Sequence, residues 1–202
     1  LPFIIILFAI ICNFNNFYSD CIFIHFGGYS GFWYYYSYLQ KNYILDKKIY
    51  CYSSGCLSVV ASIQHNNNQS LFSFVNNLKQ EYVNNKIDKY QIKNNFINEI
   101  SNKVIDIKNY DINILTFNFF GQCIVKKPNN VSELILALDE TSNVPILTTR
   151  ISYQKNLDGY FCFNFQNKCK KNIRLPLSFY LHFNILNPNI NYNDIYNYLN
   201  LS

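Results

Sequence analysis

Methionine is absent from the chain, tryptophan occurs once, and glycine and proline number only six and five. So little Gly and Pro excludes a collagen-like or low-complexity chain. Charge is also sparse, at 14% of residues, while half of the residues are hydrophobic, and together these exclude a disordered polyelectrolyte. The 17 basic and 12 acidic side chains are spread thinly, for a net charge of +5. The densest basic cluster, Lys168, Lys170, Lys171 and Arg174, reads as a solvated loop that could touch anionic headgroups. No basic–aromatic pattern of a nucleic-acid reader occurs, so nucleic acid is not an expected partner. No His/Cys spacing reads as a zinc site and no P-loop lysine follows a glycine turn, so neither metal nor nucleotide cofactor is expected.

What is present begins with an apolar run, Leu1 to Cys12, followed by the polar stretch Asn13 to Asp20. At roughly ten apolar residues the run is too short to span a bilayer and suits a signal-peptide core. Residues 1–20 are therefore read as a signal or membrane-targeting segment, with a secretory or membrane-associated location and a cytoplasmic one as the alternative. Residues 21–202 are read as one domain. There are seven cysteines. Removal of a signal containing Cys12 would leave an even six that a secreted protein could pair, but Cys51 and Cys56 fall in apolar runs, so buried free thiols are expected, with Cys162–Cys169 the one local pair to consider. Asn is so abundant that the glycosylation triplets at Asn68, Asn130 and Asn200 carry little information.

Along the chain, Cys21 to Phe26 reads as a buried strand, Phe32 to Tyr43 as a helix and Lys48 to Tyr52 as a second strand. Cys56 to Ile63 then has the small and apolar residues of a buried helix. Strand, turn, helix, strand, turn, helix is the rhythm of a parallel sheet. Leu71 to Leu78 and Val83 to Ile107 predict further amphipathic helices. Ile112 to Phe119 and Gln122 to Val125 read as paired strands around Phe120-Gly121. Ser132 opens a helix to about Leu138, and Pro145 to Leu147 reads as extended. Leu157 to Tyr160 reads as a turn into a strand, Leu177 to Leu186 as strand-like and Tyr192 to Leu199 as a closing helix.

Glycine placement is the sharpest local signal, because a Gly-poor chain spends glycines where the backbone needs positive φ or close approach. Gly27, Gly28 and Gly31 crowd one strand-to-helix turn, where exposed N–H groups and the helix dipole would hold an anion. Gly55 follows Ser53 by two residues, after an apolar strand and before a small-residue helix. A serine on such a turn is either a nucleophile elbow or a helix cap. Gly159 follows Asp158 directly.

The runs HFGGYSGFWYYYSYLQ and IYCYSSGCLSVVASI resemble the glycine-rich oxyanion loop and the elbow of patatin-like phospholipases. SELILALDETSNVPIL resembles that family's segment before the catalytic aspartate, and LDGY its D-G-[GA] motif. The likeness covers about Cys21 to Cys162 with the motifs in family order. It implies a three-layer α/β/α sandwich with a mainly parallel sheet, and a cofactor-free hydrolase for fatty-acyl esters working at a membrane surface. It places the nucleophile on Ser53, the base on Asp158, and the oxyanion hole on the N–H groups of Gly27, Gly28 and Tyr29. Gly31, Gly55 and Gly159 are the matching motif glycines. Phe26 stands in place of the family's first loop glycine, Ser30 in place of its basic residue, Cys51 in place of the first elbow glycine, and Tyr160 in place of the last D-G-[GA] residue.

Two rival readings accompany this one. A Ser53–Asp158–His182 triad would follow the chain order of α/β-hydrolases, although His182 sits at an apolar alternation suited to a buried strand. His25 adjoins the glycine loop and reads as a sheet residue beside the site. The non-enzyme rival is a weak or inactive lipid-binding protein that keeps the same site.

Overall fold

The computed structural model describes residues 19–64, 68–144, 156–162, 165, 168–182, 194 and 197. The helices and strands foreseen in the first half form where the periodicity places them. They are β1 (Ser19–Ile24), α1 (Gly28–Asn42), β2 (Lys48–Cys51), α2 (Ser54–Gln64), α3 (Asn68–Val83) and α4 (Lys89–Asn102). Then come β3 (Ile112–Phe117), β4 (Cys123–Lys126), α5 (Val131–Thr141), β5 (Leu157–Asp158), β6 (Cys169–Ile173) and α6 (Leu177–His182). Capping explains two of the starts. Asp88 accepts from the N–H groups of Tyr90 and Gln91, both at 2.8 Å, and opens α4. Asn130 accepts from Glu133 N–H at 2.9 Å, so α5 begins before the expected Ser132.

The chain is an α/β protein with a six-stranded mixed sheet. The strand order is β4-β3-β2-β1-β6, with β5 also paired to β3. β1, β2, β3 and β6 are mutually parallel, whereas β4 and β5 run antiparallel to β3. Period-two alternation sorts the strands' side chains. Ile22, Ile24, Ile49, Cys51, Ile112 and Ile114 turn to one face and pack with helices α1 to α6. Cys21, Phe23, Tyr52 and Leu115 turn to the other, where Cys162, Cys169 and Phe165 join them. Among the described residues that second face carries no α-helix, so the expected second helical layer is not seen there. Its apolar surface is instead closed by the segment that follows β5.

Three sequence expectations give way. The basic cluster is no loop: Cys169–Ile173 is strand β6 beside β1, with Lys170 and Lys171 exposed at the sheet edge, where lysines block further pairing. Leu177–His182 is helix rather than strand, because Pro176 sets a helix start and the Phe179 N–H reaches the Pro176 carbonyl at 2.9 Å. Nor are the six described cysteines free. Cys21–Cys169, Cys51–Cys56 and Cys123–Cys162 are disulfides, and the considered Cys162–Cys169 pair does not form. Strand register brings Cys21 and Cys169 together across 148 residues, which no local spacing reveals. The expected targeting segment up to residue 18, the extended Pro145–Leu147 and most of the closing helix lie outside the described residues.

Candidate active site

β2 ends at Cys51, and Ser53 turns through φ +53° before α2 begins. A non-glycine residue in the left-handed region carries strain on the order of 1–3 kcal/mol and persists only where its surroundings enforce it. Three features do so. The Ser53 N–H donates to Thr141 Oγ1 at 3.0 Å, and the Thr141 hydroxyl donates to the Leu115 carbonyl at 2.6 Å. Gly55 lies so close to β1 that a Cβ there would meet the His25 carbonyl oxygen at 2.3 Å. The Cys51–Cys56 disulfide closes the turn upon itself.

Sheet register brings Asp158 to Ser53. β4 occupies one edge of β3 from Ile114 to Phe117, so β5 must lie on the other edge, which is the β2 side. There β2 pairs only as far as Cys51 with Ile114, and β5 takes up Thr116 and Phe117 beyond it. Asp158 thus sits in the lane that β2 vacates when the chain leaves at the elbow. The Ser53 hydroxyl is near enough to this carboxylate to draw its titration down, and the Tyr160 N–H donates to Asp158 Oδ1 at 2.8 Å. Gly159 permits the approach, since a Cβ there would meet the Leu115 carbonyl oxygen at 2.3 Å. Asp158 is 3% exposed. Burial pushes its carboxyl up from 3.8 to about 6, against the opposing pull of the Ser53 hydroxyl, the Tyr160 N–H and Lys93.

The post that holds β5 is the end of α5. Asp158 N–H donates to the Asn143 carbonyl at 3.0 Å, and the Asn143 amide donates to the Asn156 carbonyl at 2.7 Å. Asn156 in turn reaches Glu140 at 2.7 Å, and Glu140 pairs with Lys126 at 2.5 Å. Sequence reasoning missed Thr141 and Asn143. Their only signal is a run of polar residues where an apolar helix ends, yet both are buried.

In the glycine loop the expected roles divide. The Gly27 N–H donates to Ser54 Oγ at 2.8 Å, so it is committed to the elbow and not open to an oxyanion, contrary to expectation. Gly28 opens α1 at φ +59°, and Gly28 and Tyr29 line the same cavity as Ser53 and Asp158. Gly31 packs against Leu175, 3.1 Å from where its Cβ would stand. Ser30, at the family's basic position, is fully buried, and among the described residues its hydroxyl has no hydrogen-bond partner. A charged side chain has no room there.

The cavity measures about 740 Å³ and its walls are mostly apolar, with Phe32, Trp33, Leu57, Val75, Leu78 and Phe96 among them. The aromatic run of α1 therefore serves both the core and the cavity wall. Lys93 also lines it, largely buried and paired with Asp139 at 2.6 Å. Among the described residues no group of three His, Cys, Asp or Glu side chains could hold a metal ion, and no helix is long and apolar enough to cross a membrane.

No protein-family model, curated protein or solved structure matches this chain. His25 is not among the residues lining the cavity, and its ring nitrogens meet Tyr52 and Arg174 instead. His182 falls in α6, and its side chain lies outside the described residues.

Proposed function

We propose that the chain is a serine acyl-hydrolase of the patatin-like kind, cleaving fatty-acyl esters through an acyl-serine intermediate. The observation that carries the reading is the strained Ser53, set beside a buried carboxylate in a large apolar cavity. In this account Ser53 Oγ attacks the ester carbonyl while its proton passes to Asp158. The N–H groups of Gly28 and Tyr29 take the developing oxyanion. Asp158 returns the proton to the departing alcohol, then takes one from water as water attacks the acyl carbon. Collapse releases the fatty acid and restores the Ser53 hydroxyl. No cofactor enters these steps.

The sheet core and elbow suit the patatin-like sandwich, although the described helices all occupy one face. Three disulfides, together with the apolar first residues, favour a secretory-pathway setting for residues 21–202 acting at a membrane surface. A weak or inactive lipid-binding protein remains the second reading, favoured by the buried Ser30 where the family carries a cation.

Turnover of short- and long-chain esters separates these readings. Wild type and His182→Ala should hydrolyse them, and folded Ser53→Ala should not. A dead His182→Ala protein of normal stability would point to a triad, and an inert wild type to the lipid-binding reading.

A further inference from the structure

On the sheet face opposite the helices, His25 and Tyr52 sit at the ends of the two neighbouring strands that carry the glycine loop and the elbow. Both stand beside a reacting segment: His25 precedes Phe26-Gly27-Gly28, and Tyr52 directly precedes Ser53. His25 Nδ1 lies 3.2 Å from Tyr52 Oη, and the Phe26 backbone is near enough to act on that phenol's titration. The Tyr52 Cβ stands 2.7 Å from the position of a Gly159 Cβ, so one tyrosine touches loop, elbow and the turn after Asp158. Phe23 packs edge-on against the imidazole at 4.7 Å, and Phe26 flanks the Tyr52 ring at 5.9 Å. His25 is only 7% exposed, which fixes where its ring can lie.

Two groups meet the second ring nitrogen. Arg174 Nε donates to His25 Nε2 at 3.1 Å, and Asn172 Oδ1 lies 3.2 Å from the same atom. An acceptor and a donor cannot both face one nitrogen as drawn. A guanidinium N–H can only donate, whereas an asparagine amide can be turned over. Reading Nε2 as the acceptor turns that amide over at the expense of its 3.4 Å donation to the Cys169 carbonyl; the proton then resides on Nδ1, and Nδ1–H donates to Tyr52 Oη. An imidazolium would have no lone pair for Arg174; burial, with Arg174 adding to it against the opposing pull of Asn172, holds His25 down to about 4.

We propose that His25 is a positioning residue: its Nδ1–H bond to Tyr52, oriented by Arg174, locks the loop bearing Gly28 and Tyr29 in register with the elbow bearing Ser53. The inference rests on the proposed roles of Ser53 and of those N–H groups. Gly27 N–H to Ser54 Oγ is the companion tie on the helix side. Between them the loop is pinned to the elbow from both faces of the sheet. With Ser30 buried, the cation that serves the loop comes from Arg174, reaching it through His25 rather than from the loop itself.

If the bridge sets oxyanion geometry, His25→Phe should lower kcat by roughly 10–100-fold with KM within about twofold, since donors misplaced by about 1 Å forfeit that much rate. His25→Gln, whose amide can donate to Tyr52 and accept from Arg174, should recover most of the loss. Adding Tyr52→Phe to His25→Phe should cost little more. Nitrogen NMR gives a readout that needs no turnover: wild type should show His25 protonated at Nδ1 and bare at Nε2, the signal being assigned by its loss in His25→Gln. An Nε2–H tautomer, or a folded His25→Phe protein with unchanged kcat, would overturn the proposal. An inert wild type with the Nδ1–H signal intact would instead overturn the reading of Ser53 and leave the bridge itself standing.

Discussion

Replacing Asp158 by asparagine should abolish turnover and stabilise the fold at once. The carboxyl is 3% exposed and its titration moves from 3.8 to about 6 on folding, chiefly through burial. An acid whose folded value is raised binds its proton more tightly in the folded state. Stability is therefore undiminished below pH 3.8 and falls as pH rises, the full loss being reached above pH 6. The difference corresponds to about 3 kcal/mol. Asparagine keeps an acceptor oxygen for the Tyr160 N–H without the charge, so it should recover much of that loss. In a domain of this size each kcal/mol moves Tm by about 2–4 °C. Thermal unfolding at pH 8 should thus place Asp158→Asn about 4–10 °C above wild type, with the gap nearly closed at pH 4. An unchanged or lower Tm at pH 8, or a gain equally large at pH 4, would refute the assigned burial of charge. In wild type, kcat/KM should rise with pH through an inflection near 6, as Asp158 becomes the carboxylate that accepts the Ser53 proton. That inflection falls close to a histidine's, so the mutants discriminate better than the profile.

Thr141→Val should strand the Ser53 N–H and the Leu115 carbonyl, at about 1–3 kcal/mol each; denaturant unfolding reads the loss, and ester assays should show kcat falling with it. Ser30→Ala removes a buried hydroxyl with no hydrogen-bond partner among the described residues, so stability should hold or rise by up to about 1 kcal/mol in the same unfolding assay. Converting both Cys123 and Cys162 to alanine frees a loop of 39 residues, which by chain entropy is worth about 4 kcal/mol. Because that loop contains Asp158, activity should decline at temperatures well below the melting of the oxidised protein.

The elements that position the site were largely legible in the sequence. CIFIHF and KIYCY read as strands because apolar runs stop at Gly27-Gly28 and at Ser53. Those stops are where the chain turns at the C-terminal sheet edge. Gly55 and Gly159 stood out by scarcity, and both prove to be points of close backbone approach. What stayed hidden depends on contacts far apart in sequence. CKKNI looks like solvated charge until β1 supplies a partner strand, and only then do Cys21 and Cys169 face each other. The supports of Ser53 at Thr141 and of Asp158 at Asn143 look like ordinary polar residues at a helix end. The commitment of Gly27 to Ser54 depends on the distance between two turns, which no local pattern encodes.

The account turns on Ser53 as an activated nucleophile. Incubating the pure protein with a fluorophosphonate and mapping the adduct by peptide mass spectrometry addresses that directly. The account predicts a single adduct on Ser53 in wild type, much slower labelling in Asp158→Asn and none in Ser53→Ala. An adduct on Ser54 or elsewhere, labelling that survives in Ser53→Ala, or a folded wild-type protein that does not react would contradict it.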